Sequence, residues 1–259
     1  IKMENRYELG YRIYSILNHA EVDGYINPSD SDLWDVVIPG YDKQLKQKYS
    51  TLWDAAVHHR FITELGEGTL SRERFSRYFE QDYIFINDLV KTAGIAVAKA
   101  PSNKIARPVE EFLNAILGAE DTLFIDAFRT LGIDESQYLS AQPLPTTSSF
   151  GDFLVRLAYE GSFREVCTAM LVTEGVYLDW GERLQTEGAN PKDSGSELGD
   201  FYQGWIELHG EDALGPIVEH LTMVVDQAMD IDIPRLGLIF EQTLRYEVAF
   251  WDMAYDGET

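Results

Sequence analysis

The sequence predicts an all-α protein, an antiparallel bundle of long helices. Apolar residues recur at steps of three and four from about residue 43 onward. No segment alternates apolar and polar residues with period two, and no Val/Ile-rich run reads as a strand. Short turns between long helices favour antiparallel neighbours.

The elements follow in order. Leu45, Tyr49, Leu52, Trp53, Ala56 and Phe61 make one apolar stripe, which the glycines at 66 and 68 interrupt. Ser71 is placed to cap a helix running to about Ala100. Another helix is expected from Pro108, read as a first-turn proline, to about Gly132. After Pro143 and Pro145 come two helices separated by Gly161. The second of them opens with the capping box Ser162-Phe-Arg-Glu165 and runs to Gly188. A loop rich in Gly, Asn and Ser precedes a helix ending at Gly210, another spans about Asp212 to Met229, and Pro234 opens the last. Residues 1–42 read as an N-terminal extension and 43–259 as the bundle domain.

Composition limits the function. A chain of 259 residues, 45% hydrophobic, can bury one substantial core without staples. The single cysteine, Cys167, forms no internal disulfide, and the five histidines show neither HExxH nor ExxH spacing, so no metal centre is expected. A net charge of −23 repels phosphate backbones and disfavours nucleic-acid binding. No apolar run is long enough to span a membrane and the N-terminus carries no apolar signal core, so a cytoplasmic protein is expected.

In so acidic a chain one carboxylate carries little information, but three stand in apolar surroundings. Asp82 lies in Gln-Asp-Tyr-Ile-Phe-Ile, Glu174 in Val-Thr-Glu-Gly-Val-Tyr and Glu247 in Tyr-Glu-Val-Ala-Phe-Trp. Each has an aromatic three positions later on the same helical face, namely Phe85, Tyr177 and Phe250. Burying an unpaired carboxylate is costly, so these acids either pair with arginines, lie on an exposed edge, or share a ring-lined pocket. Such a pocket suits a flat, nitrogen-rich ring, with aromatics on its faces and carboxylates on its amino groups.

The collinear segments Leu52-Trp53, His59-Arg-Phe61, Phe75-Ser-Arg-Tyr-Phe-Glu-Gln-Asp82-Tyr-Ile-Phe85, Tyr159-Glu-Gly-Ser-Phe163 and Tyr246-Glu-Val-Ala-Phe-Trp-Asp-Met253 resemble the TenA/thiaminase II family. The resemblance covers roughly residues 50–256 and implies the haem-oxygenase-like helical bundle fold. It also implies hydrolysis of an aminomethyl- or formylaminomethyl-pyrimidine in thiamin salvage, with no cofactor and a homotetramer or dimer. By position, Asp82 resembles the family aspartate that binds the pyrimidine, and Glu247 the glutamate proposed as acid to the leaving amine. Phe85, Phe150, Tyr177 and Phe250 fall where family aromatics line the pocket. Tyr83, beside Asp82, and Thr173, beside Glu174, are counted with the substrate-binding residues.

Thr173 stands where one branch of the family carries its nucleophilic cysteine. Cys167, six residues earlier, lies about 240° around the helix from that position. Glu174 matches the glutamate of the other branch, some of whose members carry tryptophan where Gly175 stands. A carboxylate can activate water directly, which makes Glu174 the expected base and implies cysteine-independent catalysis. The glycine at 175 is expected to leave more room in the pocket or a looser helix. Alternatives remain open at this level: a non-catalytic binder of a pyrimidine or another flat ligand, a haem protein using His58 or His59, or a di-iron oxidase.

Overall fold

The computed structural model describes residues 40–228 and 233–258, without side-chain detail at 119–121. The extension expected over 1–42 lies outside the described residues except for its last three.

Where one apolar stripe was expected, three short helices form: α1 (Tyr41–Lys48), α2 (Ser50–Val57) and α3 (Arg60–Glu67). The breaks fall at Tyr49, whose φ of −109° departs from helical geometry, and at His59. His59 is an N-cap: its Nδ1 accepts the Phe61 amide at 3.1 Å, which gives this histidine a structural role. The start of α1 is tied to the far end of the chain, because the Asp226 carboxylate accepts the Gly40 amide at 2.8 Å and the Asp42 amide at 2.9 Å.

Ser71 caps α4 (Arg72–Lys99) by accepting the Arg74 amide, as expected. The region from Pro108 to Gly132 differs from expectation. It forms α5 (Asn103–Ala115), a π-helical turn over Ile116–Glu120, and α6 (Asp121–Leu131). Ser102 supplies the cap, so Pro108 sits inside α5 and removes one interior hydrogen bond instead of opening the helix. A short α7 (Glu135–Ser140), missed in the sequence reading, carries its own capping box from Asp134 and Gln137.

The two helices around Gly161 are α8 (Pro145–Glu160) and α9 (Phe163–Thr186), the latter opened by the Ser162/Glu165 capping box. A 3₁₀ turn at Pro191–Ser194 leads to α10 (Gly199–Leu208), α11 (Glu211–Asp226) and α12 (Ile233–Asp256). Every residue from 166 to 176 is buried, because α9 packs against α2, α4, α8, α10, α11 and α12. A helix covered on all sides must be apolar all round, and any acid within it faces neighbours and no bulk water. That placement puts Glu174 in the interior.

Candidate active site

A pocket of about 300 Å³ opens between α4, α5, α8, α9, α11 and α12. Asp82 enters it from α4, Glu174 from α9 and Glu247 from α12, each with no more than 7% of its surface exposed. No lysine or arginine lines the pocket, and none of the three acids forms an ion pair among the described residues. The reading in which arginines neutralise them is therefore excluded for this fold.

Burial raises all three carboxyls, since a low-dielectric interior disfavours the charged form. Asp82 is pushed up to about 7 by desolvation, which the nearby Tyr78 hydroxyl partly offsets. Glu174 is pushed up to about 8 by desolvation, with the Thr173 hydroxyl opposing and the charge of Asp82 adding. Glu247 is raised well above the usual carboxylate range by desolvation, then by Glu174 and Asp82. It accepts no hydrogen bond from the described residues, so nothing offsets the cost of its charge.

Rings form the walls. Phe85 packs at 4.7 Å from Phe150 and 5.6 Å from Phe250, measured between centroids. Tyr177 also lines the pocket, its ring 4.9 Å from His209 and its hydroxyl 2.9 Å from that of Tyr78. Thr173 also reaches the pocket, with its hydroxyl 2.9 Å from Glu174 Oε1. One expected contact is corrected: Tyr83 does not line the pocket. One residue beyond Asp82 turns the side chain about 100° around α4, where its ring meets Phe124, Phe128 and Tyr138.

Gly175 requires a second correction. It faces Trp53, not the pocket, and a Cβ there would lie 3.1 Å from the tryptophan ring. Its smallness admits an indole between α2 and α9 and adds no room for ligand. Cys167 is fully buried and outside the pocket, and burial raises its thiol far above the reactive range.

Two residues, Tyr78 beside Asp82 and His209 in the pocket wall, were not among the expected site residues. Tyr78 lies one turn before Asp82 on the same face of α4, a spacing that could have found it. His209 ends α10 in an irregular turn, where helical periodicity gives no signal. Among the described residues no cluster of three or more His, Cys, Asp or Glu side chains is arranged to hold a metal ion, and no helix is long and apolar enough to cross a membrane.

Fold and site together define an all-helical bundle closed around one acidic, aromatic-walled pocket. Residues 46–257 match the model of the TENA/THI-4/PQQC family, and the chain belongs to that family. It is 26% identical over 217 residues to an aminopyrimidine aminohydrolase of Halalkalibacterium halodurans, covering 82% of this chain and 94% of that one. A protein of the same name from Helicobacter pylori is 27% identical over 215 residues, covering 82% of this chain and 96% of its own. The solved TenA homologue of P. horikoshii superposes with a TM-score of 0.74 at 23% identity, covering 86% of this chain and all of that one. A Shewanella denitrificans domain described as having a heme oxygenase-like fold superposes with a TM-score of 0.65 at 16% identity, over 83% of this chain and 91% of that one. The fold is haem-oxygenase-like.

Proposed function

We propose that this protein is an aminopyrimidine aminohydrolase of the cysteine-independent, glutamate-type branch. It hydrolyses an aminomethyl-pyrimidine to the hydroxymethyl compound and ammonia in thiamin salvage. The supporting observation is the convergence of Asp82, Glu174 and Glu247 in one ring-walled pocket lined by no lysine or arginine.

In this reading Asp82 anchors the ring through its amino group and ring nitrogen, while Phe85, Phe150 and Phe250 take one side and Tyr177 the other. Glu247 is desolvated beside both other carboxyls with no hydrogen bond to support its charge, which favours its protonated form and suits the acid that protonates the leaving amine. Glu174 as a carboxylate accepts a hydrogen bond from the Thr173 hydroxyl, a support that Glu247 lacks, which suits the base that takes a proton from water. Water attacks the methylene carbon as the carbon–nitrogen bond breaks. Its proton passes to Glu174, and the Glu247 proton leaves with ammonia. The relatives named aminopyrimidine aminohydrolase, aligned over most of both chains, support the reaction class.

A soluble cytoplasmic enzyme that self-associates as a tetramer or dimer goes with this reading. The deciding experiment is a panel of aminomethyl-pyrimidine, formylaminomethyl-pyrimidine and thiamin incubated with purified protein, following ammonia, formate and thiazole. Release of none of the three would reject the proposal. A thermal shift with hydroxymethyl-pyrimidine but no turnover would favour a non-catalytic binder instead.

A further inference from the structure

Tyr78 lies behind the pocket and is no part of its lining, and the reaction outlined above leaves it unused. It is fully buried on α4, one turn before Asp82. Its ring stacks on Trp251 at 5.1 Å and meets Phe61 at 4.9 Å and Trp205 at 5.9 Å, which holds its hydroxyl in place. That hydroxyl lies 2.9 Å from the Tyr177 hydroxyl and is the one donor that supports the charge of Asp82 among the described residues. Asp82 and Tyr177 both line the pocket, so one buried hydroxyl joins two groups that a ligand would meet.

A phenol has one proton to donate. An ionised Asp82 only accepts, so the Tyr78 proton goes to it and the Tyr177 proton goes to Tyr78. Tyr177 and Asp82 then offer the pocket lone pairs alone. With Asp82 protonated the row can reverse. Asp82 donates to Tyr78, Tyr78 donates to Tyr177, and the Tyr177 proton is free to turn toward the pocket.

We infer that Tyr78 is a positioning residue which, acting through Asp82 and Tyr177, keeps the ring-binding edge of the pocket an edge of acceptors. The ligand class selected is a ring with an exocyclic amino group, over the counterpart with an oxo group at the same carbon. An oxo oxygen would face a carboxylate with no proton between them, a costly pairing of buried acceptors. A neutral carboxyl donates and accepts at once, and so pairs with either ring. This deepens the proposed function and rests on its placement of the ring at Asp82.

The titratable groups around Asp82 are Tyr78 on its own helix, Glu174 and Tyr177 from α9, and Glu247 from α12. Of the other titratable groups in the lining, His209 is lowered to about 4 by burial and stays neutral, and Glu111 of α5 is exposed. Asp82 titrates at about 7, with the Tyr78 donor lowering that value, so removing the donor raises it.

The test compares calorimetric binding of hydroxymethyl-aminopyrimidine and its oxo counterpart from pH 6 to pH 9. The hydroxymethyl arm, which meets Glu174 and Glu247 in the proposed reading, is common to both ligands, so the ratio of affinities reports on the ring edge. In wild type the preference for the amino ring should rise by about tenfold or more as Asp82 ionises. Tyr78→Phe keeps the ring and removes the donor, so it should move that rise to higher pH and lower the preference at pH 8 by about threefold or more. Replacing Tyr78 by 3-fluorotyrosine strengthens the donor at nearly the same shape and should move the rise to lower pH, a readout that holds even where Tyr78→Phe does not fold. A wild-type preference that is flat with pH overturns the inference and leaves the proposed function standing. So does a folded Tyr78→Phe protein with the wild-type profile, or a fluorinated protein whose rise stays put or moves upward. Failure of wild-type protein to bind or hydrolyse any aminopyrimidine overturns both.

Discussion

The Thr173 hydroxyl lies 2.9 Å from Glu174 Oε1 and equally 2.9 Å from the Met170 carbonyl, yet it has one proton to donate. When Glu174 is protonated, the carboxyl can donate to Thr173 while Thr173 donates to Met170. When Glu174 is ionised, Thr173 must choose between the two acceptors, and the carboxylate is the stronger. Thr173 thus accommodates both protonation states of its neighbour. Thr173→Val should weaken the ionised form, move the acid limb of the kcat/KM profile to higher pH and lower activity by roughly three- to tenfold. The pH profile of the variant checks this, and an unshifted limb counts against the coupling.

Glu174→Gln removes the proposed base and should reduce kcat by about a hundredfold or more, the range for a positioned acid or base. Glu247→Gln removes the proposed proton donor and should cost a similar factor. Ligand binding should survive in Glu247→Gln, because the proposed function has Asp82 and the rings hold the pyrimidine. Steady-state kinetics beside thermal shift with hydroxymethyl-pyrimidine separates the two effects. Retention of full turnover by either variant defeats its assigned role.

The raised carboxyls also set a pH dependence of stability. A carboxyl raised on folding binds its proton more tightly in the native state, so stability falls as pH rises from the unfolded value toward the folded one. For Asp82 and Glu174 that window runs from near 4 to about 7 and about 8. The ligand-free protein should therefore melt lower at pH 9 than at pH 6 through these groups. Glu247→Gln should raise the melting temperature at pH 9 by several degrees and change it little at pH 5, where the carboxyl is already neutral. Melting curves at the two pH values test the sign.

Helix α9 shows how much was legible beforehand. Its capping box and its acid among apolar residues were plain in the sequence, because capping and burial are local or periodic signals. The convergence of Asp82, Glu174 and Glu247 was readable only as one of several options, since one-dimensional pattern does not say which helices face each other. The break at His59 was hidden because the apolar stripe continues through it, and only the side-chain cap reveals the restart. Tyr83 was misplaced by adjacency to Asp82, although one step along a helix changes the face. His209 was missed because a turn after a helix has no period to read.

Cys167 offers a test of branch assignment. It is fully buried and does not line the pocket, so Cys167→Ala should leave kcat/KM within about twofold while costing on the order of 1 kcal/mol in packing. Alkylating reagents should not inhibit the folded protein. Loss of activity in the alanine variant, with the melting temperature preserved, would mean that this thiol takes part and that catalysis depends on cysteine after all.

Gly175 makes a prediction against helix propensity. Replacing a mid-helix glycine by alanine ordinarily stabilises by up to about 1 kcal/mol. Here the new methyl would sit 3.1 Å from the Trp53 ring, so the indole must yield by a few tenths of an ångström. Its freedom to do so is small. Trp53 Nε1 donates to Asp179 at 2.7 Å, its ring stacks on Phe240 at 5.8 Å, and Lys46 lies 4.2 Å over its face. The strain should outweigh the propensity gain, so Gly175→Ala should lower the melting temperature by a few degrees, and Trp53→Phe should relieve most of that loss. A double-mutant cycle on thermal stability measures the coupling directly. Additive effects would show that the two residues do not press on one another and that the glycine has another purpose.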